Sequence, residues 1–174
     1  YGQVLSDYDL HLFAEGTHYR GWEKFGSHVT TIGDVTGVHF AVWAPNAQRV
    51  SVIGDFNRWD GRVHPMRKLV PSGVWELFVP ELTSGACYKF EVRTHAGHLI
   101  EKADPYAQFF EVPPRSASVI WDDVAYGWGD ADWMRDRPAS GSWHDRPMST
   151  YEVHLGSWRR VPAENHRYLT YREL

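Results

Sequence analysis

The densest group of residues able to do chemistry lies in Asp55-Phe-Asn-Arg-Trp-Asp-Gly61. Trp59 brings a large apolar face, and Asn57 and Asp60 set amide and carboxylate atoms beside it. Such a combination can stack on the apolar face of a sugar ring and hydrogen-bond it. The same seven residues have the outline of a calcium loop, but Trp59 stands where a ligand is needed and Met66 where a bidentate acid is needed. A cation site is therefore rejected. Carboxylate pairs at Asp55/Asp60, Asp122/Asp123 and Asp130/Asp132 imitate a glycosidase dyad, yet they fall in loops and a linker, where solvated turn aspartates are the better reading. Ten histidines show no ligand spacing, and Glu152 and His154 share a strand face without making a metal site. Neither a cofactor nor a metal is expected.

Composition narrows the classes. Net charge is −4, with 18 basic and 22 acidic residues interspersed. No basic run supports phosphate-driven nucleic-acid binding. No apolar run approaches the ~20 residues that span a bilayer, and no signal-peptide core is visible. Cys87 is the one cysteine. It precludes an internal disulfide, fits a reducing, cytoplasmic compartment and reads as a small core or edge residue. The unusual figure is 15% aromatic residues, nine of them Trp and nine Tyr, since aromatic faces pack cores but also stack on the apolar faces of sugars.

The elements that must position Trp59 follow from periodicity. Residues 1–35 read as a helical and irregular lead-in. Ser6 and Asp9 have the spacing of a capping box, Gly16 is a natural stop, and a short helix is predicted over 7–15. From residue 36 the period becomes two. Val38, Phe40 and Val42 alternate up to Pro45, Val50 and Val52 alternate up to Gly54, and Trp75, Leu77 and Val79 lead to Pro80. Tyr88, Phe90 and Val92 share a face opposite Lys89, Glu91 and Arg93. His95-Ala-Gly-His98 is a turn whose return strand is 99–102, and 117–121 is a last short strand. Short strands at roughly 8–12-residue spacing predict a mostly β chain with a sandwich at 36–121.

Residues 122–147 show no period and read as a linker. Residues 148–158, Met-Ser-Thr-Tyr-Glu-Val-His-Leu-Gly-Ser-Trp, read as a buried strand, and Thr170-Tyr-Arg-Glu173 is a second capping box at the start of a helix. Strand, loop and helix start make the first half of a βαβ unit. The expectation is a barrel stub at 148–174, with both ends of the chain cut.

Phe40-Ala-Val-Trp-Ala-Pro-Asn-Ala-Gln-Arg-Val-Ser-Val-Ile-Gly-Asp-Phe-Asn-Arg-Trp-Asp60, with Tyr88-Lys-Phe90 and Ala103-Asp-Pro-Tyr106, resembles the family-48 carbohydrate-binding modules. These are immunoglobulin-like sandwiches that bind starch and glycogen beside α-glucan enzymes and in a kinase regulatory subunit. The resemblance implies sugar contact by Trp59, with Asn57 and Asp60 beside it, and by Lys89, which matches a sugar-contacting position. In the kinase-subunit relatives a second Trp follows the fourth strand. Here that turn runs into Leu99 with no aromatic, which implies weak or auxiliary binding.

Tyr151-Glu-Val-His-Leu-Gly-Ser-Trp-Arg-Arg160 resembles the first strand of the (β/α)8 barrel of bacterial glycogen branching enzymes, in glycoside hydrolase family 13. Leu12-Phe-Ala-Glu-Gly-Thr-His18 and Trp22-Glu-Lys-Phe-Gly-Ser-His28 are similar to the connector that precedes their sandwich. The resemblance implies an intact enzyme that cleaves α-1,4-glucan, holds the fragment on an aspartate and passes it to a 6-hydroxyl. Such retaining chemistry needs two carboxylates ~5–5.5 Å apart, and no motif carrying them occurs here, so no catalytic residue is assigned. The implied partners are α-glucans (glycogen, starch and maltooligosaccharides) and the remainder of the catalytic domain. A free-standing glucan-binding module, or the front of another family-13 enzyme such as a debranching one, are the alternatives.

Overall fold

In the computed structural model residues 2–122, 127–137, 141, 143–145 and 147–174 are described. Asp123, one of the weighed carboxylates, lies outside them. The chain divides into two units, 1–126 and 127–174.

The first unit opens with helix α1, Asp7–Glu15. Ser6 Oγ accepts from the Asp9 amide at 3.1 Å while the Asp9 carboxylate accepts from the Ser6 amide at 3.0 Å, so the reciprocal cap read from the sequence is formed. Gly16 closes the helix in the left-handed region at φ 73°. Strands β1 (Gly26–Ile32), β2 (Val35–Trp43), β4 (Arg67–Leu69) and β5 (Val74–Pro80) then form one sheet in the order β1-β2-β5-β4. The other sheet holds β3 (Ala47–Gly54), β6 (Cys87–Thr94), β8 (Phe109–Phe110) and β9 (Ser118–Val119) in the order β3-β6-β9-β8, with β7 (Leu99–Lys102) also paired to β6. All of these pairings are antiparallel.

Between the sheets Val38, Phe40, Val42, Val50, Val52, Trp75, Tyr88, Phe90 and Ile120 are buried together. Fully burying a large apolar side chain contributes about 1.5–3 kcal/mol, so this layer dominates the unit. The first sheet is also covered on its second face. Leu5, Phe25, Ala41, Leu69 and Val74 form a smaller cluster, with Leu10 and Phe13 of α1 against it. That cover explains why the second face of β5, which carries Val74, Glu76 and Phe78, is not solvated. Glu76 is 2% exposed.

Two expectations need correction here. The lead-in at 1–35 contributes a full strand, because Gly26–Ile32 pairs with β2 along its whole length. Its Ser-His-Val-Thr-Thr core has no apolar alternation, so its strand form comes from the partner edge and not from its own pattern.

The second correction concerns the second unit. The barrel strand expected at 148–158 is absent. Residues 147–154 hold no regular element, and Leu155–Trp158 is a four-residue helix. Among the described residues no strand pairs with 148–158, and an isolated strand would leave its backbone groups without partners. Tyr151 and Trp158 pack ring on ring instead, with centroids 5.9 Å apart. The stretch read as an irregular linker carries a short helix at Ala131–Asp136. Arg160–Val161 and Arg167–Tyr168 make a two-stranded ladder. At the second capping box, Glu173 reaches back to the Thr170 amide at 2.8 Å, but only a turn forms.

Candidate functional site

Strand β3 ends at Gly54, where the chain must turn sharply against its neighbour. A Cβ there would meet the Cys87 carbonyl oxygen at 2.3 Å and the Phe56 ring at 2.6 Å, so glycine is required by the close approach and not by φ. A 310 turn follows at Asp55–Asn57. Phe56 anchors it from below, stacked on core Phe40 with centroids 6.3 Å apart. Arg58 and Trp59 then both take the left-handed conformation, at φ 57° and 60°. Each such residue outside glycine costs roughly 1–2 kcal/mol, and it persists only where the surroundings over-determine it.

Asn57 is what over-determines it. The side chain is 7% exposed; its Oδ1 accepts from the Gly54 amide at 2.9 Å and its Nδ2 donates to the Val52 carbonyl at 2.9 Å. The Nδ2 also lies 2.9 Å from His64 Nδ1. The sequence places Asn57 beside the sugar, whereas the structure commits its amide to the loop's own backbone.

Trp59 is 38% exposed at the outer end of this loop. Its indole N–H donates to Asp55 Oδ1 at 3.2 Å, and Asp55 Oδ2 accepts from the Cys87 amide at 3.1 Å. Asp55 therefore ties the ring orientation to β6, a positioning role that sequence reasoning missed. Only its spacing of four from Trp59 could have signalled it.

Asp60 accepts from the Arg62 backbone N–H and its guanidinium. Those hydrogen bonds hold the exposed Asp60 carboxyl down at about 2. Lys89 stands on the outer face of β6, with Nζ 3.7 Å from Glu101 Oε2 on β7.

Trp59 and Asp60 share a surface hollow of about 330 Å³ with Arg49, Glu91, Arg62 and Leu99. Leu99 opens β7, so an aliphatic wall stands near the position where the kinase-subunit relatives are expected to carry an aromatic ring. Lys89 and Asn57 are not among the lining residues. The structure thus brings Trp59 and Asp60 to one hollow and leaves the side chains of Asn57 and Lys89 out of its lining.

Residues 24–107 match the profile of the family described as carbohydrate-binding module 48 (isoamylase N-terminal domain). This region is similar to the carbohydrate-binding modules of that family. The Trp59 loop and the β6–β7 hairpin lie inside the matched span, as do all four sandwich candidates.

Over 174 residues the chain is 54% identical to a 1,4-alpha-glucan branching enzyme GlgB of Gloeobacter violaceus, covering 99% of this chain and 24% of that protein. It is 55% identical over 172 residues to the protein of the same name from Paramagnetospirillum magneticum, covering 98% and 23%. The chain spans about a quarter of the length of these relatives. Among solved structures, a maltotriose complex of PulA from Klebsiella pneumoniae is 29% identical with a TM-score of 0.46, over 56% of this chain and 11% of that one. No helix among the described residues is long and apolar enough to cross a membrane.

Proposed function

We propose that this chain works as the front portion of a 1,4-α-glucan branching enzyme and that its module supplies glucan binding while the chemistry lies elsewhere. The observation that carries this reading is the 54–55% identity over 98–99% of the chain to proteins of that name. In such an enzyme an α-1,4-glucan segment is transferred to a 6-hydroxyl to make an α-1,6 branch. The module would hold glycogen, starch or maltooligosaccharides by stacking a glucose unit on the exposed face of Trp59. Asp60 and Lys89 would offer polar contacts at the edges, with Asn57 keeping the loop in its strained form. Residues 148–174 would belong to the start of the catalytic domain, and the lone Cys87 fits a cytoplasmic setting.

Native electrophoresis in gels cast with and without glycogen tests the binding half. The 174-residue chain is expected to be retarded by glycogen, and Trp59→Ala is expected to lose the retardation with its circular dichroism unchanged. Undiminished retardation of that variant would place the platform elsewhere. The catalytic half is tested by incubating the chain with amylose. No shift in iodine colour and no new α-1,6 signal in NMR is expected, and either one above a mock preparation would refute the assignment of chemistry to other residues.

A further inference from the structure

Stacking on an indole is largely indifferent to which hydroxyls a sugar carries, so Trp59 alone cannot select among ligands. A site with directed hydrogen-bonding groups rejects a ligand lacking the matching hydroxyls. Asp60 is poorly placed for that task, because the adjacent Arg62 engages both of its oxygens. The floor of the same hollow holds a second charged pair with capacity left over.

Arg49 and Glu91 lie on the outer faces of β3 and β6, opposite to the faces that carry Val50, Val52, Phe90 and Val92 into the core. Glu91 is directly across from Ser51 in the ladder, two residues along from Arg49, which pairs with Arg93. Arg49 Nη2 donates to Glu91 Oε1 at 2.5 Å, and the side chains are 31% and 15% exposed. A guanidinium has five N–H donors, and this one uses a single N–H on Glu91. Its Nε is buried without a hydrogen-bond partner among the described residues. Glu91 Oε2 accepts no hydrogen bond among them either. The loop that carries Trp59 comes down directly on this carboxylate. A Cβ at Gly61 would meet Glu91 Oε1 at 2.1 Å, so glycine lets the loop sit there with Glu91 held as it is by Arg49.

We infer that Arg49 and Glu91 are the hydroxyl-reading groups of the glucan site, and that they determine its selectivity for unmodified sugar hydroxyls while Trp59 supplies sequence-tolerant stacking. The inference rests on reading the hollow as a glucan site. A planar guanidinium beside a carboxylate offers donors and an acceptor together, which suits adjacent ring hydroxyls that each donate and accept. Hydrogen bonds to ionised groups are the stronger kind, and partial burial of the pair strengthens them further.

Calorimetric titration with β-cyclodextrin, a cyclic α-1,4-glucan, and with its heptakis(2,3-di-O-methyl) derivative tests this. The wild-type chain is expected to prefer the unmodified ring by about tenfold or more. Glu91→Gln is expected to lose about tenfold on the unmodified ring and little on the methylated one, so that the preference collapses. Arg49→Lys, which keeps a cation against Glu91 but removes the planar donors, is expected to act in the same direction should Glu91→Gln fold poorly by circular dichroism. Equal weakening on both ligands would show the pair to be only structural and would overturn the inference. So would an unchanged preference, or a wild-type chain that does not discriminate. A Trp59→Ala variant that binds both ligands as well as the wild type, or a wild type that binds neither, would instead sink the glucan reading of the hollow.

Discussion

The phenol of Tyr88 donates to Asp104 Oδ2 at 2.5 Å, with both side chains out of reach of solvent. Asp104 Oδ1 accepts from the Tyr106 amide at 2.8 Å, and the Asp104 amide donates to Ser118 Oγ at 2.8 Å. The Ala103-Asp-Pro-Tyr106 segment is thereby pinned to β6 and β9. Burial raises the Asp104 carboxyl above its ordinary value, against the lowering effect of the Tyr88 and Tyr106 hydrogen bonds.

A raised carboxyl favours the folded state most when protonated, and that contribution fades as pH rises through its folded value. Tyr88→Phe removes the donor that the ionised form needs. The variant is expected to lose about 1–3 kcal/mol, and to lose more at pH 8 than at pH 4. Urea unfolding at the two pH values, followed by circular dichroism, measures it, and an equal loss at both would contradict the assignment.

Glu76 titrates in the opposite sense. Burial would raise its carboxyl, but hydrogen bonds from His39, Arg67 and the Leu5 and Val4 amides outweigh that and bring it to about 2. A depressed carboxyl adds stability that is fully present above the ordinary glutamate value near ~4.3 and is lost as pH falls toward its folded value. Glu76→Gln is expected to destabilise the chain by on the order of 3 kcal/mol at pH 7. It should also flatten the fall in unfolding free energy between about pH 5 and pH 2. An acid limb as steep as the wild type's would assign that fall to other carboxylates.

Asn57→Ala should act on the loop before it acts on any ligand. It strands the Gly54 amide and the Val52 carbonyl in a buried site, at about 1–3 kcal/mol for each orphaned group. The urea midpoint is expected to fall and the emission of Trp59 to shift to the red. A variant of wild-type stability that binds glycogen less would return Asn57 to the list of direct sugar contacts.

Hydrogen exchange should separate the two units. Amides at 50–53 lie in β3, between β6 and the 64–66 segment, whose Met66 amide donates to the Val50 carbonyl at 2.8 Å. Amides at 151–154 donate to no backbone carbonyl among the described residues. The first set is expected to persist for hours and the second to exchange within minutes. Strong protection at 151–154 that does not vary with concentration would mean that this segment is paired.

The strands that bury one apolar face were legible because alternation is a local property. Val38, Phe40 and Val42, or Tyr88, Phe90 and Val92, announce a pleated surface whatever lies beside them. The Ser6–Asp9 cap and the Gly16 stop are likewise set within one helical turn. The Trp59 loop was legible as a loop, and Trp59 as its exposed ring. What the residues could not announce is anything supplied by a distant partner. Strand β1 has no alternation of its own and exists because β2 offers it an edge. Glu76 reads as an outward-facing charge, and is buried because α1 and the chain before it fold over that face. Asn57 looks like a ligand contact until its amide meets Val52 and Gly54, and Glu91 looks like a solvated charge until the Gly61 turn lands on it. At 148–158 the apolar run promised a strand, but a strand's backbone groups need a neighbouring ladder, and pairing is decided by tertiary structure alone.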